Sequence, residues 1–169
     1  MIKVENVTKI FNGKTVLDNV STLFENGKCN LIIGKSGSGK TVLMKCLVGL
    51  HTPDEGYIHF DDRILRHLSK AEKVNLRKDI GMLFQGGALF DSMNVEENIM
   101  FPIRMFQKSD YKTMRKRVDF CLDRVNLGGI NKMMPSELSG GMQKRVAIAR
   151  AIATQPKYLF CDEPNSGLD

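Results

Sequence analysis

The sequence predicts an α/β fold with a mainly parallel core sheet, an antiparallel β part at the N-terminus and an inserted helical subdomain. Three observations support this prediction. Apolar runs of strand length alternate with segments of helical spacing, which is typical of parallel α/β sheets. Two strand patterns at the start of the chain are joined by Asn12-Gly13, a turn signal between antiparallel strands. Two amphipathic helical patterns then follow one another between residues 95 and 125, with no strand between them.

The first elements are predicted from local periodicity. Residues 2–11 alternate well enough for a strand, and residues 15–24 supply the second strand of the hairpin. The apolar run 30–33 predicts a buried strand, and the apolar spacing over 41–50 predicts an amphipathic helix.

The elements that follow are marked by turn and capping signals. A turn rich in Asp, Glu, Pro and Gly precedes a short strand at 56–60. Ser69 and Glu72 have the spacing of a capping box, so we expect a helix over 69–77. The apolar run 79–84 suits a buried strand.

The second half of the chain is mainly helical. Pro102 is expected to end or kink the first of its helices, because proline removes a backbone donor and clashes with the preceding turn. A loop rich in Gly, Asn and Met is expected at 127–137. The predicted helices and strand lie at 95–106, 112–125, 141–153 and 158–161.

Composition places the chain among ordinary globular proteins. Its 169 residues suit one domain, with 42% hydrophobic and 26% charged residues. No run approaches the roughly 18 uncharged apolar residues that a membrane helix needs, and the N-terminus has no secretory pattern, so we expect a cytosolic chain. The four cysteines are scattered singly in apolar contexts, which favours buried thiols over a zinc or redox site.

The net charge of +6 raises the question of a nucleic-acid partner. Basic residues concentrate between Arg104 and Arg117, but no aromatic residues interleave with them as a stacking platform for bases. We therefore expect no nucleic acid, and interpret the cluster as a solvated helix face or one near an anionic membrane surface.

A phosphate-binding loop is predicted where the apolar run meets the first helix. Residues 34–41 satisfy the pattern G-x-x-x-x-G-K-[ST]. The glycines let successive N–H groups point inward and build an anion-binding concavity at a helix N-terminus. Lys40 supplies a positive charge for the β- and γ-phosphates, and the Thr41 hydroxyl is the expected Mg²⁺ ligand. The alternative is a glycine-rich turn with a solvated lysine.

Two acidic residues follow the last predicted strand. In parallel sheets the ligand lies beyond the carboxyl ends of the strands, so Asp162 is placed to hold Mg²⁺. Glu163 points elsewhere and is a candidate general base that polarises the attacking water. An acidic turn without chemistry is the alternative.

A second candidate anion site is the segment Leu138-Ser-Gly-Gly-Met-Gln143. A serine and two glycines open a helix there, which repeats the physical logic of the phosphate loop. Ser139 is explained equally well as an ordinary helix N-cap. A second phosphate cradle makes sense if it serves the nucleotide of another subunit.

Together, residues 34–41, 138–143 and 158–163 resemble, in this order, the Walker A, signature and Walker B motifs of the ATP-binding-cassette (ABC) family. The resemblance implies a P-loop NTPase fold with ATP and Mg²⁺ as cofactors. It implies that Phe11 stacks on adenine and that Gln85 contacts Mg²⁺ or the attacking water. Residues 165–169 resemble the D-loop.

The resemblance implies a set of site residues. The residues implied for catalysis are Glu163, Gln85 and Lys40, and those implied for the metal are Thr41, Gln85 and Asp162. The residues implied for nucleotide binding are Phe11, Gly34, Ser36, Gly37, Ser38, Gly39, Lys40, Thr41, Ser139, Gly140, Gly141 and Gln143.

The resemblance also implies partners and a location. ABC ATPases act as head-to-tail dimers, in which Ser139 and Gly141 of one subunit would clasp the γ-phosphate held at Lys40 of the other. They pair with transmembrane permease subunits on the cytoplasmic face of the cell membrane. The implied organisation is a single ABC ATPase domain over 1–169, with a RecA-like core and β subdomain at 1–84 and 154–169 and the helical part at 85–153.

Two departures from the family pattern stand out. Asn165 occupies a D-loop position where Thr is usual, which we expect to be mild. The family also carries a switch-loop histidine after the D-loop, and the histidines of this chain, His51, His59 and His67, all lie upstream. We therefore expect a cassette truncated near its C-terminus, which binds ATP but is weakly active or inactive in hydrolysis.

The stretch 84–103 resembles the ATPases of Mla/MCE-type phospholipid transporters, above all in Gly87-Ala-Leu-Phe-Asp-Ser-Met93. Cassettes for amino acids or lipoproteins share much of this region and stay open as alternatives. Soluble ABC proteins are a further class. Those of genome maintenance carry a long coiled coil between the phosphate loop and the signature, and no sustained heptads separate Lys40 from Ser139. Translation factors carry two cassettes joined by a charged linker; this chain contains one, and the expected truncation leaves this alternative open.

Overall fold

A computed structural model describes residues 1–163 of the chain. Its contacts divide the chain into two compact units, one of Met1–Asn75 and one that begins at Leu76. The predicted division into a core, 1–84 and 154–169, and a helical part, 85–153, stays a prediction. The predicted D-loop, 165–169, lies outside the described residues.

The first unit contains a four-stranded antiparallel sheet. Its strands are β1 (Ile2–Phe11), β2 (Lys14–Phe24), β3 (Glu55–Phe60) and β4 (Arg63–Ile64), in the order β2-β1-β3-β4. The β1–β2 hairpin turns at Asn12-Gly13, where both residues have positive φ. The predicted hairpin is therefore confirmed, and β3 extends it on the other edge of β1.

Helix α1 (Lys40–Leu47) follows the predicted phosphate loop and buries Leu43, Met44, Cys46 and Leu47. Helix α2 (Lys70–Lys78) begins at the predicted cap. The Ser69 hydroxyl accepts from the Glu72 amide at 3.3 Å, and the Ser69 amide donates to the Glu72 carboxylate at 2.8 Å. The capping box is therefore confirmed.

The predicted buried strand at 30–33 is wrong. This segment pairs with no other strand within residues 1–163, and Leu31 and Ile33 are each 81% exposed. Asn30 instead closes a local turn, since its side chain accepts from the Glu25 amide and donates to the Glu25 carbonyl. An apolar run indicates a preference for burial, but the burial of a parallel strand depends on sheet neighbours supplied by distant parts of the chain.

In its described residues, the second unit combines a parallel strand pair with three α-helices and the short 3-10 helix Pro135–Glu137. Strands β5 (Ile80–Leu83) and β6 (Tyr158–Cys161) pair in register, Ile80 with Tyr158 and Leu83 with Cys161. The helices are α3 (Val95–Phe106), α4 (Tyr111–Arg124) and α5 (Gly140–Ala151). They share one hydrophobic core, whose fully buried members include Val95, Ile99, Met100, Val118, Cys121, Val146 and Ala149.

Pro102 does not end α3, which continues to Phe106. Proline inside a helix costs about 3 kcal/mol. Packing of Ile99 and Met100 before the proline, and of Ile103 after it, holds the helix on both sides and outweighs that cost. The expectation that Pro102 ends the helix is therefore wrong, and a kink stays a prediction.

Part of the basic cluster has structural partners. Arg115 donates to the buried carboxylate of Glu96 at 2.7 Å. Arg117 donates to the carbonyls of Ile152 and Ala153 at 2.7 and 2.9 Å, beyond the end of α5. These two arginines tie α4 to its neighbours.

The cysteines divide into two classes. Cys46 and Cys121 are buried as expected, whereas Cys29 and Cys161 are exposed, so burial of all four is wrong. Cys29 belongs to the loop that leads into the exposed segment 30–33, and Cys161 ends the short strand β6. Within the described part of the chain, no helix combines the length and apolar character needed to cross a membrane.

Candidate functional site

The phosphate loop is formed by residues 34–39 at the N-terminus of α1. Gly37 and Gly39 adopt positive φ of 77° and 89°. A Cβ at Gly39 would lie 2.9 Å from the Val16 carbonyl oxygen, and one at Gly34 would lie 2.6 Å from Ser38 Oγ. Glycine is therefore required at Gly39 by both conformation and close approach to backbone, whereas a side chain at Gly34 would require the Ser38 hydroxyl to move.

Gly39 is the N-cap of α1, and no side chain among the described residues caps the helix there. The first amides of α1 therefore keep their capacity to bind an anion. Lys40 Nζ donates to the carbonyls of Gly34 and Lys35, each at 2.9 Å, so the ammonium group is held over the loop. Ser36 and Ser38 are exposed, and Thr41 is half-buried in the first turn of the helix.

Phe11 ends β1 and belongs to the same unit as the phosphate loop. Its ring is 37% exposed. The ring packs edge-on against His51, with 5.4 Å between centroids, and Lys9 Nζ lies 5.2 Å from its centroid. The accessible ring has the character needed for stacking on a base. The contact with His51 was missed from the sequence, because the two residues lie in different local elements.

The carboxyl ends of β5 and β6 bring three predicted residues together. The Asp162 amide donates to the Leu83 carbonyl at 2.9 Å, which continues the strand pairing into the turn. Asp162 is buried and Glu163, at positive φ of 49°, is exposed. Gln85 Nε2 donates to Glu163 Oε2 at 2.8 Å. An amide and a carboxylate predicted to act on the same water therefore lie in direct contact.

The glutamine loop (residues 85–90) has an unusual backbone. Gly86, Gly87 and Ala88 have positive φ of 75°, 79° and 46° in succession. Alanine in the left-handed region is strained, and such strain is found most often at functional sites. The sequence predicts a role for Gln85 but not the strained turn that follows it. Gly86 and Gly87 indicate only a flexible backbone, and Ala88 gives no indication of a positive φ.

Ser139 is the N-cap of α5 and its hydroxyl accepts from the Met142 amide at 3.3 Å. Ser139 and Gly140 are exposed, so the start of this helix is open to an anion. Gln143 is directed inward, because its Nε2 donates to the carbonyls of Pro135 and Leu138. Gln143 therefore fixes the turn that precedes the helix, and its contact with nucleotide stays a prediction.

The candidate metal ligands supply the right donor atoms. Hydroxyl, amide and carboxylate oxygens are what Mg²⁺ prefers, and Thr41, Gln85 and Asp162 offer one of each. Gln85 donates to Glu163 through Nε2, so its side-chain oxygen lies on the other side of the amide group and can act as an acceptor. No cluster of three or more His, Cys, Asp or Glu side chains forms a metal site of its own within residues 1–163.

Comparison with known proteins gives one consistent result. The sequence profile of the ABC transporter family matches residues 17–166. The methionine import ATP-binding protein MetN of Clostridium tetani is 43% identical over 169 residues, which are all of this chain and 53% of that protein. The intermembrane phospholipid transport ATP-binding protein MlaF of Haemophilus influenzae is 41% identical over 169 residues, all of this chain and 64% of that protein. The chain thus spans about half to two thirds of the length of these curated relatives.

The fold is also that of a solved structure. The bacterial ABC transporter cassette MJ0796, solved as a dimer, matches all of this chain and 76% of its own, with a TM-score of 0.93 and 34% identity. A second structure of that cassette is a post-hydrolysis state bound to ADP and Pi, with a TM-score of 0.92 and 33% identity. The predicted α/β fold of P-loop type is confirmed by this likeness.

Proposed function

The chain belongs to the ABC transporter family, and from this membership we propose that it hydrolyses ATP in a head-to-tail dimer to drive transport by a membrane permease. The observation that carries the proposal is the 2.8 Å hydrogen bond from Gln85 to Glu163 at the ends of β5 and β6. This bond orients the Glu163 carboxylate, a group that can accept a proton from water.

The roles of the remaining residues follow from their chemistry. Lys40 and the amides at the start of α1 bind the phosphates, and Phe11 stacks on the adenine. Thr41, Gln85 and Asp162 hold Mg²⁺, which neutralises charge that develops on the β- and γ-phosphate oxygens. Gln85 orients the water and Glu163 accepts its proton. Gly34, Gly37 and Gly39 give the loop its shape.

A second copy of the chain completes the site. The exposed N-terminus of α5, with Ser139 and the two glycines after it, offers N–H groups to the γ-phosphate of the ATP bound by the other subunit. This arrangement explains why one chain carries two anion-binding helix starts.

We propose a phospholipid or related lipid as the transported substrate. The support is the segment 87–93 and its resemblance to Mla/MCE-type ATPases, together with the relative named for phospholipid transport. Phe90 is 40% exposed, so it can contact the permease, whereas Leu89 and Met93 are half-buried. The proposed permease contacts are Leu89, Phe90 and Met93, at the cytoplasmic face of the membrane.

A methionine or other amino-acid transporter is the second candidate, because a relative named for methionine import is 43% identical to this chain. The two candidates separate in a transport assay. The chain is reconstituted with its permease in proteoliposomes, and stimulation of ATPase activity is compared for phosphatidylglycerol and for methionine. Stimulation by methionine alone would contradict the lipid proposal.

The ATPase proposal is tested by Mg-ATP binding and hydrolysis. Lys40→Ala should weaken ATP binding at least about tenfold, because a charge-assisted contact to phosphate is lost. Glu163→Gln should retain binding and lose turnover, since an amide cannot accept the proton from water. Lys28→Ala is the control, because its side chain is exposed and pairs with Glu25 on the surface. Measurable turnover of equal rate in Glu163→Gln and the unsubstituted chain would contradict the role of Glu163.

A further inference from the structure

The glutamine loop lies directly on α5. The Gly87 backbone approaches the helix so closely that a Cβ at this position would be 3.3 Å from the Cβ of Ala147. The positive φ of 79° at Gly87 turns the chain toward the helix at this point. The loop that carries Gln85 and the helix that begins after Ser139 are therefore in van der Waals contact.

Arg150, in the last turn of α5, reinforces this contact. Its Nη2 donates to the Gly87 carbonyl at 2.8 Å, and its Nη1 donates to Asn98 Oδ1 at 3.5 Å. The guanidinium carbon also lies 5.6 Å from the centroid of the Phe90 ring. Burial lowers the pKa of Arg150, which is the expected cost of placing a cation here, and these contacts offset that cost.

Asn98 extends the connection to the rest of the loop. Its fully buried side chain accepts from the Phe90 amide at 2.9 Å and donates to the carbonyls of Phe90 and Met93 at 3.1 and 2.9 Å. The planar guanidinium group donates to the Gly87 carbonyl oxygen and to Asn98 Oδ1 at the same time. A lysine ammonium on a flexible side chain is not preorganised to donate to both. Loss of Arg150 would deprive the Gly87 carbonyl, in a buried residue, of this donor, whereas Asn98 Oδ1 would keep its bond from the Phe90 amide.

We propose that Arg150 is a positioning residue that couples the glutamine loop to the N-terminus of α5. A change in the backbone at 86–90 displaces Gly87 and Phe90, and Arg150 transmits the displacement to α5. The helix is a single 12-residue element, so the start of it, at Ser139, moves as well. The inference rests on the proposed function, in which Gln85 acts beside the nucleotide of its own subunit and Ser139 binds the nucleotide of the other.

The first test is amide hydrogen exchange in the absence of nucleotide. Arg150→Gln should raise the exchange rate at Phe90 and across 86–90 by at least about tenfold, because the loop loses its attachment to α5. Arg150→Lys, which keeps the charge but not the planar guanidinium group, should show a smaller increase. Arg124→Gln is the matched control, an exposed arginine in the last turn of the neighbouring helix α4, and should leave these rates unchanged.

The second test uses Mg-ATP in the Glu163→Gln background. Added Arg150→Gln should leave ATP affinity within about twofold and weaken ATP-dependent dimer formation at least about tenfold, measured by sedimentation. If Arg150 only stabilised the fold, Arg150→Gln would instead lower the melting temperature and weaken ATP binding and dimer formation together.

The outcomes are distinguishable. If a folded Arg150→Gln variant shows unchanged exchange at 86–90, or dimerises with ATP as readily as its parent, the coupling role is overturned. If Arg150→Gln does not fold, Arg150→Lys decides the same questions. If the unsubstituted chain binds no ATP, the proposed function fails, and the nucleotide-free exchange experiment still decides the role of Arg150.

Discussion

Gly39 shows how much of the phosphate loop depends on a single missing side chain. Its φ of 89° lies in the region that L-residues avoid, and its Cα faces the backbone of Val16. The position combines two separate constraints, one on conformation and one on space. The two constraints can be separated by substitution.

We expect Gly39→Ala to destabilise the fold by about 2–4 kcal/mol, measured by urea denaturation. The left-handed conformation contributes about 1–2 kcal/mol, and the 2.9 Å approach of the new Cβ to the Val16 carbonyl contributes the rest. Gly13→Ala is the matched control, since Gly13 has a φ of 76° but open space around it. Equal losses in the two variants would show that the close approach has no cost.

Sequence patterns were enough to propose the residues of the candidate site, but not to predict their contacts. The pattern at 34–41 predicts Lys40 as a phosphate ligand because phosphate binding needs that spacing of glycine and lysine. The bond between Gln85 and Glu163 joins residues far apart in sequence, and it depends on the pairing of β5 with β6. The inward direction of Gln143 likewise depends on the turn at 135–138, which has no sequence signal of its own.

Among the helices, α3 has a complete capping box at its start. Asn94 Oδ1 accepts from the Glu97 amide, and the Asn94 amide donates to the Glu97 carboxylate, both at 2.9 Å. We expect Asn94→Ala to lower the free energy of unfolding by about 1 kcal/mol in a urea titration. Asn75→Ala makes the same chemical change at an exposed site within α2 and should be neutral or slightly stabilising. A loss of equal size in both would argue against the cap.

Helix α4 is capped by a carboxylate, so its stability should depend on pH. The Thr113 amide donates to Asp110 Oδ1 at 2.9 Å and lowers the pKa of Asp110 below its ordinary value of 3.8. A lowered carboxylate pKa stabilises the folded state above pH 3.8, and this contribution is lost as the pH falls below that value.

Thermal denaturation at pH 7 and pH 3 tests this dependence. We expect the drop in melting temperature on acidification to be smaller in Asp110→Asn than in the unsubstituted chain, because asparagine also caps a helix but does not titrate. An identical drop in both proteins would show that the Asp110 carboxylate makes no contribution to the acid sensitivity.

At the level of elements, the prediction succeeded where the signal was local. The hairpin at Asn12-Gly13 and the cap at Ser69 are decided by residues within three positions of each other. It failed at 30–33, where burial depends on strands elsewhere in the chain, and at Pro102, where packing of α3 outweighs a local preference. Local rules therefore located the elements, and long-range contacts decided which of them form a sheet.

For the molecule as a whole, the exposure of the four cysteines shows which regions exclude solvent. Burial raises the pKa of Cys46 to about 11 and also raises that of Cys121, whereas Cys29 and Cys161 are exposed. We expect a disulfide reagent at pH 8 to react rapidly with two thiols in the native protein and with four in urea, because the reactive species is the exposed thiolate.

Serine variants assign the reactive groups. Cys29→Ser and Cys161→Ser should each remove one rapidly reacting thiol, as counted by absorbance of the released thiolate. A rapid reaction of three or more thiols in the native chain would show that the core around α1 or α4 opens to solvent.

The strand connections also suggest an order of folding. The β1–β2 hairpin closes through a two-residue turn, so the sheet beside the phosphate loop can form early. The pairing of β5 with β6 joins residue 80 to residue 158, and it must wait for the entropy of a long chain closure to be overcome. We therefore expect the half of the chain with the predicted phosphate loop to fold first during synthesis. The contact between Gln85 and Glu163 would be among the last to form, so a partly folded chain would lack the pair proposed to hydrolyse ATP.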